Sequence, residues 1–416
     1  MRDNINIVVV VDSIDIDDSS GSKANVALIK NLRAIGCNIS VYHYSRNDIK
    51  LNDIDCYSIK ERKWNLLYLF SRIQRVLQRN LRFNLSKYFE RFFGFSFTFF
   101  NDVKSIEKFL NENLLNSPDL ILTLSKGGSF RPHYAILQLP ELYDKWVAYL
   151  HDPYPFHFYP RPYNWIEPGF KHKESFMKKV SERARFSGFP SQMLKEWMGA
   201  YFPNFLKTGI IIPHQILKVE DLVKEIPRII NPNKFNVLHA GNLMKQRSPK
   251  GLIEGFILFL KKNQNAKKDA KLLLIGNANC HKDVLNKFVE SIPELFVINS
   301  NRSFEEVNRL QNLVSVNVIL ESKSEISPFL PGKFPHCVLA NKPILLLGPY
   351  YSESKRLLGE NYEYYSEIDD VDKIALIFEK LYSEWLKDRN NFRLNRKDLE
   401  KYVSVSFLKD VFSNLN

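Results

Sequence analysis

The stretch "NINIVVVVDS" at residues 4–13 restricts the fold more than any other. A β-branched run with no alternation leaves neither face for water. A strand of that kind belongs in a parallel sheet covered by helices on both sides. "KANVALIKNLRAIG" follows as a helix, with Ser22 as its N-cap and Gly36 at the left-handed stop, and "NISVYHY" is the next strand. Strand, helix, strand in this order is a right-handed βαβ unit. "DLILTLS", "KWVAYLH", "RARFSGFPS" and "KTGIIIPH" extend the sheet.

A second alternation begins after "IINPNKF", where Asn231-Pro232-Asn233 makes a turn cluster suited to a linker. Its strands are "FNVLHAG", "KLLLIGN", "LFVINS", "SVNVILES" and "KPILLLG". "SPKGLIEGFILFLKKN", "HKDVLNKFVESI" and "SFEEVNRLQNLV" are its helices. At 416 residues the chain is too long for one core. We therefore expect an α/β protein of two Rossmann-like, doubly wound parallel-sheet domains facing a cleft. The expected bounds are 1–215 and 216–395, with a helical tail over 396–416. Residues 61–100 interrupt the rhythm with aromatic and arginine-rich amphipathic helices whose only acids are Glu61 and Glu90.

Composition narrows the partners. No run approaches the 18–20 or so apolar residues that cross a bilayer, and the N-terminal run, followed at once by Asp12 and Asp15, is too short for a signal peptide. The four cysteines are scattered without CxxC or Cys/His spacing, which suits a cytoplasmic location and argues against disulfides and structural zinc. A net charge of +13 favours anionic partners: nucleic acid, a membrane face or phosphorylated ligands. Nucleic acid is set aside, because no recognition helix, RNP-like or zinc pattern occurs.

In parallel sheets ligands sit at the carboxyl ends of strands. "HAGNLMKQRSPKGLIEGF" closes a strand at Gly241 and continues through Asn242, Lys245, Arg247 and Lys250, with Ser248 as N-cap and Pro249 at N1. Free amides and an Arg fork there suit a phosphate, although a solvated basic loop reads the same way. In "SPFLPGKFPHCVLANKPIL", Pro331 opens a short helix, so Lys333 falls in its first turn. A cation there opposes the dipole unless an anion sits over it, and Asn341 suits the left-handed end. "YLHDPYPFHFYP" sets His151 and Asp152 at a strand end, where they could orient a hydroxyl or take its proton, and its aromatics could stack on a sugar or pack internally. Ser20, Gly21 and Ser22 form a loop without GxGxxG or a P-loop lysine, and Gly127 and Gly128 form a turn. His239 reads as a core histidine. "EIDDVD" at 367–372 reads as a helix-capping cluster rather than a metal site.

Taken together, these loops resemble those of nucleotide-sugar glycosyltransferases of the GT-B fold, the retaining family-four type. "HAGNLMKQRSP" resembles that family's G-x-L…R-(S/D)-P loop, and "SPFLPGKFPHCVLANKPIL" resembles its SPFLPSKFxDY(I/L)AxGKPIL element. "YLHDPYP" resembles the segment that carries the histidine near the transferred sugar. The resemblance covers most of the chain and is weakest over 51–118. It implies that the first domain binds the acceptor and the second the donor. Arg247 and Lys333 then stabilise the departing diphosphate, and His151 with Asp152 serve the sugar. The donor side comprises Gly241, Asn242, Arg247, Ser248, Gly276, Ser327, Phe329, Leu330, Pro331, Lys333 and His336. Ser20, Gly21, Ser22, Gly127 and Gly128 belong to the acceptor side. No cofactor and no metal are expected. The sugar would pass to a glycan or lipid-linked acceptor in bacterial cell-surface polysaccharide synthesis. His336 departs from the pattern, standing where the family has the acid that meets the ribose, with Glu321 and Glu325 as nearby carboxylates. A catalytically silent sugar- or membrane-binding GT-B protein and a sugar-nucleotide epimerase are the alternatives. Residues 61–100, with Arg72, Arg75 and Arg79, fit either a helical subdomain or peripheral attachment to an anionic inner membrane face.

Overall fold

The computed structural model describes residues 5–45, 47–81, 85–114, 117–163, 165–217 and 229–415. The chain forms two compact units. The first runs to Leu217 without Pro160–Pro162 and takes back the chain from Val403; the second holds the intervening chain to Tyr402. The stretch 396–416, expected as one helical tail, is thus divided. Helix Lys397–Tyr402 belongs to the second unit and helix Val405–Ser413 to the first, where Leu408 and Phe412 are buried against the helix that follows the first strand.

The first unit holds a parallel sheet of seven strands: β1 (Asn6–Val11), β2 (Asn38–His43), β3 (Asp55–Ser58), β4 (Leu120–Leu124), β5 (Trp146–Tyr149), β6 (Phe186–Phe189) and β7 (Gly209–Ile211). Their spatial order is β3-β2-β1-β4-β5-β6-β7. Val9 stands opposite Val41 on one side and Leu122 on the other. The apolar run of β1 is buried on both faces, as the sequence requires. Val8 and Val10 pack with Val103, Ile106 and Leu110, while Ile7, Val9 and Val11 pack with Val26, Ile29 and Leu32.

Helix α1 (Ser20–Ala34) is capped by Ser19, not by Ser22. The Ser22 amide donates to Ser19 Oγ at 3.1 Å, and Ser22 is itself buried in the first turn. Between β3 and β4 lie α2 (Leu66–Leu81), α3 (Leu85–Phe93) and α4 (Phe97–Asn113), the insertion expected over 61–100. Among the described residues of these three helices, only those of α4 bury an apolar face against the sheet.

The second unit holds a six-stranded parallel sheet of β8 (Phe235–Ala240), β9 (Ala270–Ile275), β10 (Leu295–Ile298), β11 (Val316–Leu320), β13 (Ile344–Leu347) and β15 (Tyr365–Ser366). The order is β10-β9-β8-β11-β13-β15. A separate short pair joins β12 (Ile326–Ser327) to β14 (Tyr351–Ser352). Phe235 and Val237 face helices Lys250–Lys262 and Val371–Lys387, whereas Leu238 and Ala240 face helix Phe304–Leu313. "EIDDVD" does cap a helix: Asp370 Oδ1 accepts from the Lys373 amide at 3.1 Å. Among the described residues no helix is long and apolar enough to cross a membrane.

Two helix starts differ from expectation. Helix Lys250–Lys262 begins after Pro249, not at it, and Ser248 Oγ accepts from the Lys250 amide at 3.3 Å. Helix Phe334–Leu339 begins after Lys333, which occupies its N-cap position, because Pro331 closes a preceding turn through its carbonyl to the Phe334 amide at 2.8 Å.

Candidate active site

The carboxyl edge of the second sheet is built on two glycines. Gly241 ends β8 at φ +148° and Gly276 ends β9 at φ +136°. A Cβ on Gly276 would stand 2.5 Å from the Gly241 carbonyl oxygen, so the two loops approach this closely only without side chains there. The Gly241 amide donates to Ile275 O at 2.8 Å, and the Asn277 amide donates to Asn242 Oδ1 at 3.1 Å. Asn242 then receives Arg247 Nη1 on its carbonyl at 3.3 Å, which folds the arginine back over the end of the strand.

Lys333 reaches the same place. Its Nζ donates to His239 Nδ1 and Ala240 O, each at 3.1 Å, and to Val318 O at 3.3 Å. All three acceptors are neutral, and among the described residues no carboxylate forms an ion pair with Lys333. Burial pulls this ammonium down to about 7, and the Arg247 charge pushes the same way against Cys337 and Glu321. Two cations from separate loops therefore converge closely enough to repel each other. Such a pair is poised for a polyanion. His239, read as a core histidine, is buried but also holds the lysine. Burial first, then Lys333 and Arg247, keep its ring neutral, so Nδ1 is free to accept.

The remaining donor-side residues divide. Ser327 and Leu330 are buried, whereas Phe329 and Pro331 are half-exposed. Glu321, just past β11, is buried, and burial pushes its carboxyl up against the lowering effect of the Ser354 and Ser327 hydroxyls and Arg247. Glu325 is exposed. His336 lies with its ring against Phe304, centroids 4.9 Å apart, and burial depresses it to about 4, so it is neutral.

In the first unit the predicted acceptor-side residues assemble at the carboxyl edge of β1, β4 and β5. A Cβ on Gly21 would lie 3.6 Å from Lys126 Cγ, and Lys126 closes the Gly127-Gly128 turn through paired amide bonds with Ser129. Gly128 packs on the Phe156 ring, leaving 2.4 Å for an added Cβ. Ser20 is exposed at the start of α1. His151 and Asp152, considered as a pair, have separate partners. His151 Nε2–H donates to Asn25 Oδ1 at 2.6 Å, and Asn25 Nδ2 donates to Ser125 O at 3.1 Å. The His151 ring also stacks on His214 at 5.5 Å. Burial first, then His214 and His133, hold His151 neutral. Asp152 is raised to about 6 by burial, with the Tyr159 hydroxyl bonded to it and opposing the shift.

Asn25 and His214 were not anticipated. Asn25 carried a signal, since it is a polar residue on the stripe Ser22, Asn25, Val26, Ile29 that α1 turns inward. No family model matches the sequence, and no curated protein matches it. Solved structures do match. Trehalose-6-phosphate synthase from E. coli bound with UDP-2-fluoro glucose shares 12% identity at TM-score 0.60, over 99% of this chain and 98% of that one. A UDP-forming trehalose-phosphate synthase from Burkholderia xenovorans in complex with glucose-6-phosphate shares 10% at TM-score 0.62, over 98% and 99%. The N-terminal domain of Candida albicans trehalose-6-phosphate phosphatase shares 15% at TM-score 0.60, over 98% and 96%. The fold is GT-B. In this chain the fold is built on two Rossmann-like parallel sheets, of seven and six strands.

Proposed function

We propose that the protein is a glycosyltransferase that takes a sugar from a nucleoside-diphosphate sugar. The second unit binds the donor, and the first unit presents a hydroxyl of a glycan or lipid-linked acceptor. One observation carries this reading. Lys333 Nζ and the Arg247 guanidinium come together at the ends of β8 and β11, and among the described residues the ammonium donates to His239 Nδ1 and two carbonyls and forms no ion pair. A diphosphate placed there supplies negative charge that Glu321, whose carboxyl burial pushes towards the neutral form, does not match. As the glycosidic bond to the donor breaks, charge grows on the leaving phosphate, and preorganised cations aimed at it lower the barrier.

The family-four resemblance adds retention: the acceptor attacks from the face the diphosphate leaves, and its proton passes to that phosphate. His151, neutral and fixed by Asn25, orients sugar hydroxyls and carries no charge into the reaction. No residue in this scheme requires a metal or a cofactor. The structural neighbours named above, one bound to a UDP-sugar analogue and one to a sugar phosphate, support a UDP-sugar as the first donor to test.

A thermal-shift screen with UDP-, GDP- and ADP-sugars tests the proposal, followed by release of the nucleoside diphosphate in the absence of acceptor. A ligand selective for the folded state raises its melting temperature. We expect one base to shift it and to give slow donor hydrolysis. A shift without hydrolysis would favour the silent binding protein, and no shift with any donor would overturn the assignment.

A further inference from the structure

Helix α2 is built inside out. Its exposed apolar side chains are Leu66, Leu69, Phe70, Ile73, Val76 and Leu77, between 36% and 71% accessible, and their spacing places them on one stripe. Its inward stripe is polar. Ser71 is 0% and Gln74 5% accessible, and just ahead of the helix Asn65 Nδ2 donates at 2.9 Å to Asn101 Oδ1 on α4. An ordinary surface helix has the reverse arrangement. The apolar face continues on α3, where Phe92 and Phe93 are 69% and 55% accessible, and Phe70, Phe89 and Phe93 share contacts with Phe97 that join the two helices.

The charges around this face have one sign. Lys63, Arg75, Arg79, Lys87 and Arg91 are exposed. The only acids in 61–100 are engaged: Glu61 pairs with Arg72 at 3.0 Å, and Glu90 pairs with Lys173 at 3.4 Å. An apolar stripe rimmed by cations repels a second copy of itself and complements an anionic lipid surface, where aliphatic and aromatic side chains enter the acyl boundary and basic heads meet phosphates.

We infer that α2 and α3 dock the protein on anionic bilayers, with the Leu66–Leu77 stripe of α2 inserted and Arg75, Arg79 and Arg91 at headgroup level. Arg72 contributes little, being tied to Glu61. This inference stands independently of the transferase reading.

Co-sedimentation of the full chain with vesicles tests it, using phosphatidylcholine alone and phosphatidylcholine mixed with phosphatidylglycerol. Binding is expected only to the mixed vesicles. Reversing Arg75 and Arg79 to Glu should lower the partition coefficient at least about five-fold per cation removed. Leu69→Ser, Ile73→Ser, Val76→Ser and Leu77→Ser together should lower it more than about ten-fold. The melting temperature should be unchanged in both variants, because the replaced side chains are exposed. Equal binding to neutral vesicles, or wild-type binding by the serine variant, overturns the inference. So does a wild-type dimer in sedimentation velocity that the serine substitutions dissociate, since the face would then be covered by a second copy.

Discussion

The carboxyl edges of the two sheets share a topology and differ in how their cations are balanced. In the first unit two basic side chains at the edge are answered by carboxylates. Lys126 pairs with Asp18, and Arg131 lies 2.9 Å from Asp102 and 3.5 Å from Asp12. In the second unit Lys333 is held by a neutral imidazole and two carbonyls while Arg247 acts on it as a second positive charge. Two sheets of like strand order, one of seven strands and one of six, have thus been given one edge with carboxylate-paired cations and one that keeps charge in reserve. On the proposed reading a polyanionic group belongs at the second, and a hydroxyl-bearing group is received at the first.

The largest effect should follow from removing that reserve. Lys333→Ala is expected to lower kcat/KM for the nucleoside-diphosphate sugar about 10²–10³-fold, the range for a single group that stabilises developing charge. Lys126→Ala, which removes a surface ion pair, should change it by less than about five-fold. Steady-state kinetics on both variants checks the contrast. Similar losses from the two would mean that the edges are not chemically distinct.

A smaller effect concerns pH. Desolvation pulls the half-buried Lys333 ammonium down to about 7, and Arg247 pushes the same way. A bound diphosphate stabilises the charged form and so raises that value. Between the two values binding takes up a proton, so affinity should be greatest below pH 7. It should then weaken as pH rises, by at most about ten-fold per unit. A diphosphate diester has no titration of its own there, so the dependence reports the lysine. In Lys333→Arg the side chain stays charged, and the slope should vanish even if affinity falls. Isothermal titration across pH 6–9 measures it. A flat wild-type profile would show that Lys333 does not meet the donor.

What the sequence revealed was set by how local each signal is. The unbroken run of β1 could belong only to a doubly buried strand, and the glycines ending β8 and β9 marked ligand-edge turns. β3 and β15, four and two residues long, are too short to show a period. The basic loop and the Pro-rich turn pointed to Arg247 and Lys333. The cage around the ammonium did not show, because its acceptors lie 93 residues and 15 residues away as backbone carbonyls of buried strands, which no side chain announces. His239 looked like core and is core; its second role depends on which lysine reaches it. For α2, periodicity identified an amphipathic helix but not which stripe faces inward. That is decided by the polar surface of α4, where Asn101 and Ser105 are buried.

The smallest predicted effect tests the neutral edge. His151 stays uncharged and directs Nε2–H at Asn25 Oδ1, which leaves Nδ1 as an acceptor for a substrate hydroxyl. Asn25→Ala removes the group that fixes the ring without touching the cations. One buried hydrogen bond is worth about 1 kcal/mol, so the transfer rate should fall about five- to ten-fold. The donor-induced thermal shift and the slow hydrolysis of donor alone should be unchanged, because both depend on the second unit. Asn25→Asp sharpens the test. A carboxylate beside the ring favours imidazolium, so transfer should gain a dependence on pH that the wild type lacks. If Asn25→Ala instead weakened donor binding as much as it slowed transfer, His151 would be serving the diphosphate, and the division of labour between the edges would fail.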